Sequence, residues 1–370
     1  MNKIKKILFV VLLIGIFCWV LYDWSDWKIE MNQEKVLSDE KNYTEPAGES
    51  EKPGAAIDPQ TLVWEKALSN APWGPRDSQG GIVFDGKMWI FGGLRGFPEA
   101  ENNYGVAPHF NDIWSSEDGA NWILEKEHAA WSPRRSMSVE YFKGKLWMFG
   151  GWSTTTGYRT GIWVSDDAVN WKQVLKDAPW GGREGQTSAV FQGKLWMFGG
   201  LSFGARLGDQ NLKNDVWNSE DGIHWNLVTE NAGWAPRYDH GTAVFQDKLW
   251  VAGGVGHGKA MNDVWSSSDG VNWVLENGNA PWEERHGMPL VNYKDRLWLV
   301  SGWGTVNEAG TQDVWYSANG KDWQKAGIDF SWPGREDHEV MVFQDKLWVM
   351  AGMGPFWVWN SDVWYSDFGR

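Results

Sequence analysis

The chain has almost no cysteine. One residue, Cys18, stands in 370, and it lies inside an apolar run near the N-terminus. That excludes an intrachain disulfide, a cysteine-based zinc site and a thiol nucleophile in the body of the protein. Positive charge is also short. Lys and Arg number 34 against 48 Asp and Glu, for a formal net charge of −14. A body so acidic repels phosphate backbones, so nucleic acid is not an expected partner. There is also no small-x-small cleavage signal after the apolar run, where Tyr22, Asp23 and Trp24 stand.

The N-terminus carries the compartment signal that cysteine cannot give. Ile7 to Tyr22 is an unbroken apolar stretch preceded by Lys3, Lys5 and Lys6. Basic residues before such a run hold the N-terminus in the cytoplasm and send the rest of the chain across. Without a cleavage site, residues 1–22 read as a transmembrane signal anchor, with Trp19, Tyr22, Trp24 and Trp27 at the far interface; a cleaved signal and a lipoprotein at Cys18 are the alternatives. A membrane tether and an extracytoplasmic location, periplasmic or at the cell surface, are therefore expected. Residues 23–60 are rich in charged and small polar residues and read as a flexible linker.

What the sequence has in abundance is tryptophan and glycine, 31 and 44 residues. Such enrichment asks for a repeated use. A phrase of Lys or Arg, an apolar residue and Trp recurs with its Trp at 89, 147, 196, 250, 298 and 348. An apolar pair and Gly-Gly, or a near variant, come next. A second phrase, Asp-apolar-Trp, puts Trp at 114, 163, 217, 265, 315 and 364, with Gly161 in place of Asp in the second copy. The period is near 50 residues, as in propeller blades.

Each repeat resolves into four strands, a to d. "AVFQDKLWVAGG" (243–254) gives a and b around a Gln-Asp turn, and "DVWSSSDGVNWVLE" (263–276) gives c and d around an Asp-Gly turn. The last unit stops after its strand c, and a d-type segment, "TLVW" (61–64), stands ahead of the first unit. The sequence thus predicts an all-β, six-bladed β-propeller over residues 61–370. Its ring is closed by an N-terminal strand that completes the last blade and hides its edges.

With strand b ending in "IFGG" (90–93) or "MFGG" (148–151, 197–200), residues 61–370 resemble the kelch-repeat family. They depart from its usual pattern in carrying Trp where Tyr often stands in strand c. The c–d turn, "SSDGVNW" (267–273) and its copies, is similar to the Asp-box of sialidases. Asp118, Asp221 and Asp269 are accordingly expected to brace the turn. Of the 31 Trp, 24 fall at repeat positions and read as core.

Candidate site residues come from one face, where the b–c and d–a loops emerge together. The d–a loops carry Arg76, Arg134, Arg183, Arg237, Arg285 and Arg335, each three residues after a Trp. Six guanidiniums around a channel mouth would suit carboxylate or sulfate groups. Equally, each could pair with a nearby acid such as Asp77, Glu184, Asp239, Glu336 or Asp337, or with backbone carbonyls. Tyr238, His240, His286 and His338 stand beside this ring, and Trp357 and Trp359 lie in a loop with no counterpart in other repeats. All are candidates for ligand contact. No metal site and no cofactor is called for.

The resemblance implies a module that holds a protein or glycan on its loop face, since fold alone does not choose the ligand. Galactose oxidase is similar in architecture but needs a Tyr–Cys cross-linked copper site, which Cys18 cannot supply. Sialidases need a Phe-Arg-Ile-Pro segment, which is missing. Sialic-acid mutarotases resemble the chain in blade number and export, and theirs is the alternative, enzymatic expectation.

Overall fold

The computed structural model describes residues 57–96, 107–202, 211–304, 309–327 and 332–368. The expected signal anchor and nearly all of the expected linker lie outside the described residues. Among the described residues, no helix is long and apolar enough to cross a membrane.

Six blades stand around a channel, each a four-stranded antiparallel sheet with strand a innermost. Blade 1 comprises Gly80–Phe84, Lys87–Leu94, His109–Ser116 and Ile123–Lys126. Blade 2 is built from Arg135–Phe142, Lys145–Ser153, Ile162–Ser165 and Trp171–Leu175. In blade 3 the strands are Thr187–Phe191, Lys194–Ser202, Asn211–Ser219 and Trp225–Thr229. Blade 4 has Gly241–Phe245, Lys248–Ala252, Val264–Ser267 and Val274–Asn277. Blade 5 has Leu290–Tyr293, Arg296–Val300, Val314–Ser317 and Gln324–Lys325.

Blade 6 takes three strands from the C-terminal end, Glu339–Phe343, Lys346–Met350 and Val363–Phe368. Its fourth is Leu62–Leu68, which pairs antiparallel with Val363–Phe368 from Leu62↔Phe368 to Leu68↔Val363. The ring is closed as the repeat arithmetic requires. Ahead of this strand, the turn Pro59–Thr61 docks on blade 5, where Gly327 N donates to Pro59 O.

The repeated tryptophans form the core between blades. Each strand-b Trp donates its indole N–H to a carbonyl five residues earlier, Phe84 O for Trp89 and Tyr293 O for Trp298. The d–a loop Trp meets the strand-d Trp edge to face: Trp73 with Trp122, Trp234 with Trp273, Trp64 with Trp332. Such pairs add about 0.5–1.5 kcal/mol beyond their buried area.

The Asp-box turn locks this packing. Asp269 Oδ1 accepts from Val271 N and Asn272 N, and Asp118 and Asp221 do the same in their blades. The residue after the Asp is left-handed: Gly119, Gly222 and Gly270 in these blades and Ala168 in blade 2. Gly119 has a φ of +75° and lies against the Trp348 ring of blade 6, which leaves no room for a Cβ.

Candidate functional site

The ring arginines have one geometry, and the sequence phrase Asp-apolar-Trp explains it. In five blades the guanidinium pairs with the Asp of that phrase in the same blade: Arg76–Asp112, Arg183–Asp215, Arg237–Asp263, Arg285–Asp313 and Arg335–Asp362, at 2.5 to 2.8 Å. Each of these Asp also accepts the indole N–H of the Trp two residues on, as Asp263 does from Trp265. In all six blades Arg Nη1 donates to a strand-b carbonyl, Gly92, Gly150, Gly199, Gly253, Ser301 or Ala351. The six side chains are buried, at 2 % exposure or less. They encircle the channel as expected, but their charge is turned into the blades and the partners are not the acids next to them in sequence.

The mouth is lined instead by the residues one position further on. Asp77, Arg135, Glu184, Tyr238, His286 and Glu336 each pair with the residue just after strand b's Gly-Gly position: Leu94, Trp152, Leu201, Val255, Trp303 and Met353. At the following position the chain turns left-handed in every blade. Ser78, Ser136, Asp239 and Asp337 have φ of 50–52°, and Gly185 and Gly287 have 61°. Their backbones link around the neck: Ser136 N to Ser78 O, Ser78 N to Asp337 O, Asp337 N to Gly287 O, Gly287 N to Asp239 O and Asp239 N to Gly185 O, all at 2.7–2.9 Å. Between blades 2 and 3, Ser136 O accepts from Gln186 Nε2. The left-handed residue separates two rings of side chains, one at the mouth and one inside the channel.

The mouth ring is acidic around one cation. Arg135 Nε lies 3.1 Å from Glu184 Oε2, and its guanidinium sits over the Trp152 ring at 5.2 Å. Burial works against its charge, but Glu184, Asp77, Asp337 and Asp239 outweigh this and hold it charged. Asp77 Oδ2 accepts from Trp359 Nε1 at 2.7 Å, while its Oδ1 is buried without a donor. Burial, reinforced by Asp337, raises the Asp77 carboxyl to about 7. Glu336 is pushed well above the carboxylate range by burial and then by Asp337. His286 Nδ1 lies 3.3 Å from Glu336 Oε2 without hydrogen-bond alignment, and burial lowers its pKa. Tyr238 is raised, again first by burial.

Inside the neck is a cavity of ≈ 170 Å³. Its lining includes Gln79, Gln186, His240 and His338, and each offers it at least one buried polar atom with no partner. Burial lowers the pKa of both histidines, to about 3 for His240. The two histidines therefore line the cavity as neutral donors and acceptors beside the two amides. Among the described residues, no group of three or more His, Cys, Asp or Glu is arranged to hold a metal.

The structure thus divides the expected site residues. Tyr238 and His286 stand in the mouth ring, and Trp359 reaches it through Asp77. Trp357 lies on the rim, 6.5 Å from the Trp303 ring. His240 and His338 lie below the neck. Asp77, Arg135, Glu184 and Glu336 join the mouth without being expected there as site residues. Their signal was present: the position after the ring Arg is Asp, Arg, Glu, Tyr, His and Glu in turn, polar in every blade and nearly always different.

Comparison with known proteins agrees with this architecture. The Kelch motif model matches residues 236–266, which run from the d–a loop to strand c of blade 4. Blade 4 thus carries a Kelch motif within a six-bladed propeller. This propeller is similar in fold to a solved structure titled "Structure of YjhT", at TM-score 0.64 and 16 % identity, covering 80 % of this chain and 96 % of that one. No curated protein matches the sequence. At that identity the likeness speaks for the kelch fold, and the site must be argued from its own residues.

Proposed function

We propose that the channel mouth binds a small sugar and moves protons on it, chemistry of the mutarotase kind. The observation that supports this best is Asp77. It is a buried carboxyl with one oxygen fixed by Trp359, the other unpartnered, and a pKa near 7. A general acid–base works best when its pKa lies near the operating pH. The carboxyl of Glu336 in the adjoining blade is raised by burial and then by Asp337, which suits it to the acid role.

The reaction balances without a cofactor. The base takes the proton of the anomeric hydroxyl, the bond from the anomeric carbon to the ring oxygen breaks, and the acid protonates that oxygen. Reclosure on the other face of the carbonyl returns both protons. Arg135 and Tyr238 would orient hydroxyls by hydrogen bonds, and the indole of Trp152 backs the Arg.

The test is exchange spectroscopy by NMR on a panel of neutral and acidic sugars. The protein should accelerate interconversion of the anomers of at least one, and Asp77→Asn should abolish this with the melting temperature kept. If no sugar interconverts faster than in buffer, the proton-transfer reading fails.

A second reading, a protein-binding face, is favoured by the rim. Phe356 is 94 % exposed, and Phe356 and Trp357 both have positive φ near 60°. Capture of a defined partner lost on Phe356→Ser, without any sugar effect, would support it. In either reading Lys3, Lys5, Lys6 and the run 7–22 argue for a tethered propeller outside the cytoplasm.

A further inference from the structure

Blade 2 breaks the one rule that the other five blades obey. Its ring arginine, Arg134, is as buried as the rest, at 2 % exposure, yet the Asp that should face it is Gly161. Arg134 donates to neutral acceptors: Ser132 O, Ser132 Oγ and Gly150 O. Among the described residues neither Arg134 nor Arg159 makes an ion pair. Arg159 stands two residues before Gly161, the register at which blade 1 places Phe110, whose ring lies 4.7 Å from the Arg76 guanidinium. In blade 2 a second cation thus stands at this register, near enough to act on Arg134.

The outer strand changes at the same blade. Gln173 pairs with Trp163, at the register where blades 1, 3 and 4 have Leu124, Leu227 and Leu275. Its Nε2 lies 2.4 Å from where a Cβ on Gly161 would fall, so the amide borders the space that an Asp side chain takes in the other blades. The vacated position is reachable. The five Asp side chains that fill it elsewhere are 11–20 % exposed, so solvent touches that spot. Asp177, on the same blade, accepts from Thr160 Oγ1.

We infer that blade 2 carries an anion site for a small carboxylate, formed by Arg134, Arg159 and Gln173, in which the ligand stands where the other blades place an Asp side chain. Two guanidiniums and an amide supply donors in the fork geometry a carboxylate accepts. A buried guanidinium without a counter-charge is costly, and a bound carboxylate relieves that cost. Burial and then Arg159 lower the pKa of Arg134 to about 9, in keeping with two cations left without an acid. The site uses none of the mouth carboxyls and does not depend on their chemistry.

The experiment is thermal denaturation of the full chain with sodium formate, sodium sulfate or sodium chloride at equal ionic strength. Formate should raise the melting temperature saturably over chloride, by roughly 4 °C at one hundred times its dissociation constant. Gly161→Asp combined with Gln173→Leu restores the arrangement of blade 4 and should abolish the response. Arg159→Ala, at a half-exposed position, should keep the fold and weaken formate binding at least tenfold. No formate effect in the wild-type chain, a full effect in Arg159→Ala, or a response to sulfate alone would each overturn the assignment.

Discussion

The closing strand is the part of the ring whose energetics can be worked out most directly. Along Leu62–Leu68 burial alternates at the start: Leu62 and Trp64 are buried at 1 % and 6 % exposure, while Val63 is 48 % exposed. Trp64 meets Trp332 edge to face at 5.7 Å, and Leu62 belongs to the same cluster between blades 5 and 6. Replacing a buried Trp by Ala costs about 3–5 kcal/mol, and the loss of the aromatic pair places Trp64→Ala toward the upper part of that range. Val63→Ala removes a side chain that is half in water and should cost under about 0.5 kcal/mol. For a domain of this size the unfolding entropy is on the order of 0.6 kcal/mol/K, so Trp64→Ala should lower the melting temperature by roughly 5–8 °C. Val63→Ala should lower it by less than about 1 °C. Scanning calorimetry on both variants gives the comparison. Equal shifts, or a Trp64→Ala shift near zero, would mean that this strand does not close the ring.

The remaining predictions concern charge. Asp263→Asn leaves Arg237 buried opposite an amide; breaking a buried pair from one side costs about 3–5 kcal/mol, so chemical denaturation should show a loss several times that of Asp247→Asn in an exposed turn. Buried carboxyls set the alkaline side of the stability profile. Asp77 and Glu140 are raised to about 7 and Glu339 to about 8, each first by burial. A carboxyl whose pKa is raised on folding binds its proton more tightly in the native state, so stability falls as pH rises through the folded value. Their contribution should therefore be lost progressively from about pH 4.5, where the unfolded carboxyls ionise, up to about pH 8 and level off above it, and Glu339→Gln should flatten the last part of that decline, between about pH 7 and 8. The neutral histidines His240 and His338 act at the other end, losing stability as pH falls below about 6.5.

The fold was legible because each blade repeats its Trp, Gly and Asp at fixed offsets, and because a d-type strand ahead of the first unit answers the strand missing from the last. The arginine ring was legible in position only. Its partners lie 26 to 36 residues downstream, across b–c connections of unequal length, so spacing could not pair them, whereas Asp77 or Glu184 lay temptingly close. Gly161 marked the odd blade, but its meaning needed the Arg–Asp pairs to be known first. The mouth was missed for a conformational reason. The first and third residues after each Arg face opposite sides of the neck only because the one between them is left-handed, and Ser and Asp at four of those positions give no sequence warning of that.

The seam between Leu62–Leu68 and Val363–Phe368 also has a mechanical meaning. Because the two strands run antiparallel with Leu62 opposite Phe368, the chain enters and leaves the ring at the same end of the ladder. A pull between residues 62 and 368 would load the backbone hydrogen bonds one at a time, opening the seam like a zip. A pull across the blades would have to shear whole sheets at once. The closure that guards the ring against heat is thus its weakest direction under force, and the propeller should yield to tension by unfastening blade 6 while the other five blades stay folded.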